Sequence, residues 1–379
     1  MEAVQKAENK VFMVAFIYLL LTSFLDQRLY ALAGRLASLV VFFVLSFLLL
    51  PHGKEIWAHK RMKAVLVAGT GILAMGNLIW LHSNKGAVLI PSDLALICLA
   101  SDQVRLDQKT MKRTAALGGI LTLVWYPFVR WDYNFNMAGL TFLLFMVMSV
   151  TFLELLKKEG KYAYLSPVQL LMWVTAFFYA LLYHSRCALA GILVFGLSLL
   201  MMKRILRHRW IYRGLILLLT LGSIAFTGLY VALAHGGANA TILYKEVLSG
   251  RQDIWRELWE AFLKHPLTGI GSSYVLKSFE IFEVHNGLFD ILVVHGILVF
   301  ILVEALLLMT LFSLERAEGS VAHIGIAAVF AMLAASFFEN FFTVPPYSYF
   351  FFAFILFIQS SGFGSGDPSR CIAADPAEP

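Results

Sequence analysis

Residues 287–313 read GLFDILVVHGILVFILVEALLLMTLFS, a run in which only Asp290, His295 and Glu304 can ionise. A helix needs about 20 mainly apolar residues to cross the hydrocarbon core of a bilayer, and this run exceeds that. Composition extends the reading to the whole chain. Of 379 residues, 60% are hydrophobic and 14% charged, with a mean hydropathy of +0.76. Soluble domains have about 45–50% apolar and about 25% charged residues. An ordinary soluble enzyme, a disordered chain and a disulfide scaffold are therefore excluded. Cys98, Cys187 and Cys371 have neither metal-ligand nor disulfide-framework spacing.

Outward from that run, apolar stretches fall near 11–25, 30–50, 64–81, 87–100, 114–129, 137–156, 167–184, 187–202, 213–234, 287–313, 321–339 and 347–360. The expected fold is all-α and polytopic, with about 12 transmembrane helices. Pro91 and Asp93 predict that the fourth is broken or tilted. No internal repeat of the kind that marks many transporters is visible. The start, MEAVQKAENK, precedes an apolar run without a small-residue cleavage site, so a retained first helix is expected.

The charge balance is 30 basic against 24 acidic residues, and the basic ones cluster between apolar runs. Such clusters set membrane orientation by lying on the cytoplasmic side. With the N-terminus inside, the inner segments hold twenty, including Lys203, Arg204, Arg207, Arg209 and Arg213. The outer segments hold nine: Arg28, Lys85, Arg130, Arg186, Lys245, Arg251, Arg256, Lys264 and Lys277. Both termini are thus expected in the cytoplasm, with one long outer loop. The chain divides into helices over 1–234, a loop over 235–286, further helices over 287–360 and a Gly/Ser/Pro-rich tail over 361–379 expected to be disordered.

In the loop, Ser249 and Gln252 have the spacing of a capping box, which predicts a helix from about Gly250. Ile254, Trp255, Leu258, Trp259, Phe262 and Leu263 lie on one face, and Asp253, Arg256, Glu257, Glu260 and Lys264 on the other. Such an amphipathic helix suits a lipid interface, and Pro266, Gly269 and Gly271 should end it. Arg251 falls in its first turn, where unpaired N–H groups and a guanidinium fork favour a phosphate. It suits equally an interfacial arginine facing headgroups or paired with a loop acid. Arg186, in a short link between two apolar runs, is a functional candidate or a snorkelling anchor. His285 suits a general base, since an imidazole titrates near 6.5, or a simple helix-start residue.

The pattern from His285 onward is more specific. His285-Asn286, nine residues, then Gly296-Ile297-Leu298-Val299 resembles the H-[N/S/Q]-x9-G-x-x-[T/V] signature of bacterial O-antigen ligases. Ser249-Gly250-Arg251 with Trp255, His265-Pro266-Leu267, Gly269-Ile270-Gly271 and Ser185-Arg186 are similar to the same superfamily, which also holds O-antigen polymerases and O-linked oligosaccharyltransferases. The specific matches span about 183–300. The resemblance implies transfer of a glycan from undecaprenyl diphosphate to lipid A–core oligosaccharide, in lipopolysaccharide biosynthesis at the periplasmic face of a bacterial inner membrane.

It further implies a metal-independent, inverting glycosyltransferase with no cofactor. His285 would be the general base, and Arg186 and Arg251 would hold the donor diphosphate. Asn286, Lys85 and Arg130 are possible supporting residues. Asp132 and Tyr133 could line a glycan path or anchor the interface. Asp93 could pair with Arg35. His265 and His295 are expected to carry no role. The rival readings are the polymerase, then attachment to protein, then a secondary transporter. No sizeable C-terminal addition follows the last run, which favours the ligase.

Overall fold

The computed structural model describes residues 2–22, 27–80, 85–124, 135–158, 165–235, 241–242, 245–246, 250–277 and 284–362, with helix ends near some gaps described as backbone only. The helices in chain order are α1 (Glu2–Thr22), α2 (Gln27–Leu49), α3 (Gly53–His59), α4 (Arg61–Trp80), α5 (Lys85–Gln103), α6 (Gln108–Val124), α7 (Phe135–Lys158) and α8 (Leu165–Leu182). They continue with α9 (Arg186–Arg207), α10 (Arg209–Leu219), α11 (Leu221–His235), α12 (Arg251–Phe262), α13 (Gly287–Ser313), α14 (Ser320–Ala335) and α15 (Tyr347–Gly362). Between α11 and α12, β1 (Thr241–Ile242) pairs antiparallel with β2 (Lys245–Glu246).

A helix overlaps each of the twelve apolar runs. Among the described residues, five segments are long and apolar enough to cross a membrane alone: Leu36–His59, Arg61–Trp80, Asn136–Lys158, Arg186–Arg207 and Gly287–Arg316. The pair Arg209–Leu219 and Leu221–Ala234, bent by 48°, makes a sixth. Pro167–Leu182, Ser320–Ala335 and Tyr347–Gly362 are apolar but shorter. This is the architecture of a multi-pass membrane protein.

Burial explains how short helices belong in such a fold. Nearly every side chain of α14 and α15 is buried, so both stand inside a ring of other helices. The outer helices instead carry large apolar side chains on their exposed faces. Phe43 on α2, Ile72 on α4 and Leu197 and Leu200 on α9 are all exposed. In water such a surface would be an aggregation site, whereas hydrocarbon accepts it.

Two local expectations change. α5 runs through Pro91 as one helix rather than breaking there. The eleventh run was expected to stay helical to 339, yet α14 ends at Ala335 and residues 336–346 form turns before α15. Asp93 is fully buried, while the side chain of Arg35, its suggested partner, lies outside the described residues. The expected disordered tail lies outside them from 363 onward.

Candidate functional site

His285 is one of two non-glycine residues with positive φ among the described residues, at +54°. A side chain in this left-handed region costs energy and persists only where its surroundings enforce it. Here both flanks are anchored. On one side the indole Nε1 of Trp255, wholly buried in α12, donates to the Val284 carbonyl at 2.7 Å. On the other, Asn286 caps α13 by accepting from the Phe289 N–H at 3.0 Å. Its amide also donates to the carbonyls of Ser223 (3.1 Å) and Phe337 (3.3 Å). The Asn of the signature is thus a clamp, wholly buried, that ties α13 to α11 and to the turn after α14.

Glu339, in that turn, is the hub. His285 Nδ1 lies 3.0 Å from its Oε2. Arg251 Nη2 donates to its Oε1 at 2.6 Å, and Asn136 Nδ2 to the same oxygen at 3.0 Å. The Glu339 side chain is 5% exposed, and those of Arg251 and His285 are 12% and 18% exposed. A carboxylate can only accept, so the contact places the imidazole proton on Nδ1 and makes Nε2 the nitrogen able to take another.

Arg186 opens α9, whose cap is the buried hydroxyl of Ser185. That hydroxyl accepts from the Ala188 N–H and donates to the Asn136 carbonyl at 3.3 Å. The starts of α7 and α9 are therefore joined beside Glu339. Gly139 is a close approach there, because a β-carbon would run into Ser185. The Arg186 guanidinium lies within electrostatic reach of Arg251 and Tyr230. Like charges held together in a partly buried place repel, and an anion between them relieves that repulsion.

Gly296 of the signature breaks α13, with φ +82° and ψ 171°. The break frees helix carbonyls, and the loop after α12 meets them. Val293 and Val294 accept from the N–H groups of Ile270 (2.8 Å) and Gly271 (3.0 Å), while Ile297 N–H donates to Pro266 (2.9 Å). The His295 carbonyl accepts from Asn77 at 3.0 Å. A β-carbon on Gly269 would enter the Val294 carbonyl and one on Gly296 the Leu267 carbonyl. The two sequence fragments, 265–271 and Gly296, are thus one backbone clip.

α12 departs from expectation in two ways. Its cap is Gly250 in a left-handed conformation with no side-chain bond, and Ser249, the expected cap, lies outside the described residues. Gln252 bonds Asp253 instead, at 3.3 Å. The apolar face, expected against lipid, packs on α11 and α13, with Ile254, Trp255, Leu258 and Phe262 buried. Burying each of the larger ones contributes about 1.5–3 kcal/mol. Arg251 correspondingly reaches Glu339 rather than headgroups.

Of the other expected residues, Lys85 begins α5 but its side chain is outside the described residues, as are Arg130, Asp132 and Tyr133. His265 makes the expected turn, its carbonyl accepting from Gly269 at 2.8 Å. His295 sits at the break rather than within regular helix. Glu339 and Asn136 were not anticipated. Glu339 is the single acid between Ser320 and Gly362, a signal present in the sequence, since acids at the ends of apolar runs seldom lack a role. Among the described residues no three His, Cys, Asp or Glu side chains could together hold a metal ion.

No curated protein and no solved structure matches the chain. The matched family region covers about a third of the chain and holds Arg186, Arg251, His285 and Gly296, whereas Asn136 and Glu339 lie outside it. Residues 171–304 match the family model described as O-antigen ligase, which bears out the resemblance read from the sequence and supports a membrane glycosyl-transfer enzyme of O-antigen ligase or polymerase type.

Proposed function

We propose that the protein is an O-antigen ligase that moves a glycan from undecaprenyl diphosphate to the lipid A–core oligosaccharide, at the periplasmic face of a bacterial inner membrane. The observation that carries the reading is that Arg251 and His285, both inside the matched stretch, meet on the Glu339 carboxylate, with Arg186 within electrostatic reach of Arg251. In this reading about 12 helices span the membrane, both termini face the cytoplasm, and the β1–β2 and α12 region lies in the periplasm.

The chemistry follows from the donors and acceptors present. An acceptor-sugar hydroxyl attacks the anomeric carbon of the donor glycan and gives its proton to His285 Nε2. The bond from that carbon to the diphosphate oxygen breaks, and its electron pair leaves with undecaprenyl diphosphate. Attack opposite the leaving group inverts the anomeric centre. Glu339 holds the imidazole and balances the imidazolium that forms. Arg186 and Arg251 receive the charge growing on the diphosphate, the role of fixed cations in a partly dehydrated site. Asn286 supports by position, through the turn that presents His285; Lys85 and Arg130 are proposed to line the glycan path.

A lipopolysaccharide gel of a deletion strain, with lipid-linked glycan quantified in parallel, tests the reading. Long glycan persisting on undecaprenyl diphosphate but missing from lipid A–core supports it. Lipid A–core carrying a single repeat unit would instead make the protein the polymerase.

A further inference from the structure

The polar face of α12 turns away from the Glu339 cluster and forms one wall of a cavity of about 690 Å³. The loop after α12 flanks it, through Gly269, Ile270, Tyr274 and Lys277, and it stays open to solvent. Its volume is that of a small-ligand site. Asp253, Arg256, Glu257, Glu260 and Lys264 line it from α12 and its end, and Lys277 from the loop, so three acids and three bases cancel formally. One wall is tied down: Glu257 Oε1 accepts from the Tyr274 hydroxyl at 3.1 Å and from the Lys277 N–H at 2.7 Å. Burial, with the Glu257 bond adding, pushes the Tyr274 phenol above its ordinary value, so it remains a protonated donor.

We infer that this cavity binds an oligosaccharide segment at a distance from the reacting atoms. Hydroxyl-rich, weakly charged ligands need what it offers. Carboxylates accept from hydroxyls, and ammonium and guanidinium groups donate to hydroxyl and ring oxygens. A phosphate or an acidic chain would need a net positive wall, which three acids and three bases do not supply. The cavity is also wired to the cluster behind it. Arg251 and Trp255 leave α12 toward Glu339 and Val284, while Arg256 and Glu260 leave it on the opposite face. Ile270, a lining residue, donates to Val293 on α13, eight residues beyond His285. Occupancy therefore bears on both elements that hold the site.

The identity of the ligand rests on the transfer reading, and two glycans qualify by chemistry: the acceptor's oligosaccharide and the donor's repeat. Full-length protein in nanodiscs is titrated with two probes, lipid-free core oligosaccharide released by mild acid and lipid-free repeat-unit glycan. Wild type, Arg256→Gln, Glu260→Gln and the pair are compared. Saturable binding of either probe, with Kd raised at least about tenfold in the paired variant, supports the site, and the probe that binds names the source. In transfer assays the same variants raise KM for that substrate and leave kcat unchanged. Binding of neither probe, or equal binding by wild type and the paired variant, overturns the inference. The titration needs no turnover, so a failure of the transfer reading registers separately, as the absence of transfer by the wild type.

Discussion

His285 and Glu339 are 54 residues apart in the chain and 3.0 Å apart in space. The contact gives the imidazole one orientation and one tautomer. Glu339→Gln keeps the size of the side chain and removes its charge. It is expected to lower kcat at least tenfold with little change in KM, and Glu339→Asp to recover part of the loss. Purified enzyme with saturating lipid substrates measures this; a kcat equal to wild type in Glu339→Gln would remove its role.

The two arginines should not tolerate lysine. Lysine keeps the charge but loses the planar fork that grips a phosphate with two parallel bonds. Arg251→Lys also shortens the reach to Glu339. Arg186→Lys and Arg251→Lys are each expected to lose most transfer, seen as a raised KM for the lipid-linked donor together with a lower kcat. The alanine variants should be inactive yet still inserted in the membrane.

Gly269 and Gly296 meet backbone to backbone. Gly296→Ala forces a β-carbon into the Leu267 carbonyl at a left-handed φ. Backbone strain of this kind costs about 1–3 kcal/mol before the clash is counted. The thermal unfolding midpoint in detergent should fall clearly. Gly269→Ala should do the same, and the double variant should lose less than the sum, since both open one clip.

Asn286 separates into two functions by substitution. Asn286→Asp keeps the cap to Phe289 and loses the amide that donates to Ser223 and Phe337, whereas Asn286→Ala loses both. A lost cap alone costs about 0.5–2 kcal/mol. Unfolding midpoints are expected in the order wild type, Asp, Ala, with transfer falling in parallel because the turn at His285 loosens.

Metal-independent transfer, which the family resemblance implies, has a direct check. Activity of the purified protein should be unchanged by prolonged chelation. Loss on chelation with recovery on adding a divalent cation would contradict that mechanism.

Much of this was legible from periodicity and spacing. Twelve apolar runs became helices because apolar length is a local property, and α12 formed where its two faces demanded it. Other features depended on contacts that periodicity does not encode. An apolar face shows that α12 must be covered, but not that α11 and α13 do the covering rather than lipid. The Ser249–Gln252 spacing marked where the helix starts, but not that the chain enters it through a left-handed Gly250. Glu339 stood out as a lone acid, but its tie to His285 spans 54 residues and two further helices. The glycine of the signature was visible as a motif letter; its reason, a helix break filled by the 265–271 loop, needed the fold.

The most direct test is reconstitution. Purified wild type and His285→Ala are each given undecaprenyl-diphosphate-linked glycan and lipid A–core oligosaccharide in lipid vesicles, and the glycosylated lipid A–core is quantified. Wild type is expected to form it, and His285→Ala, though folded and inserted, to be slower by about a hundredfold to ten-thousandfold, the range of a lost general base. No product with wild type, or equal rates for the two proteins, would contradict the account.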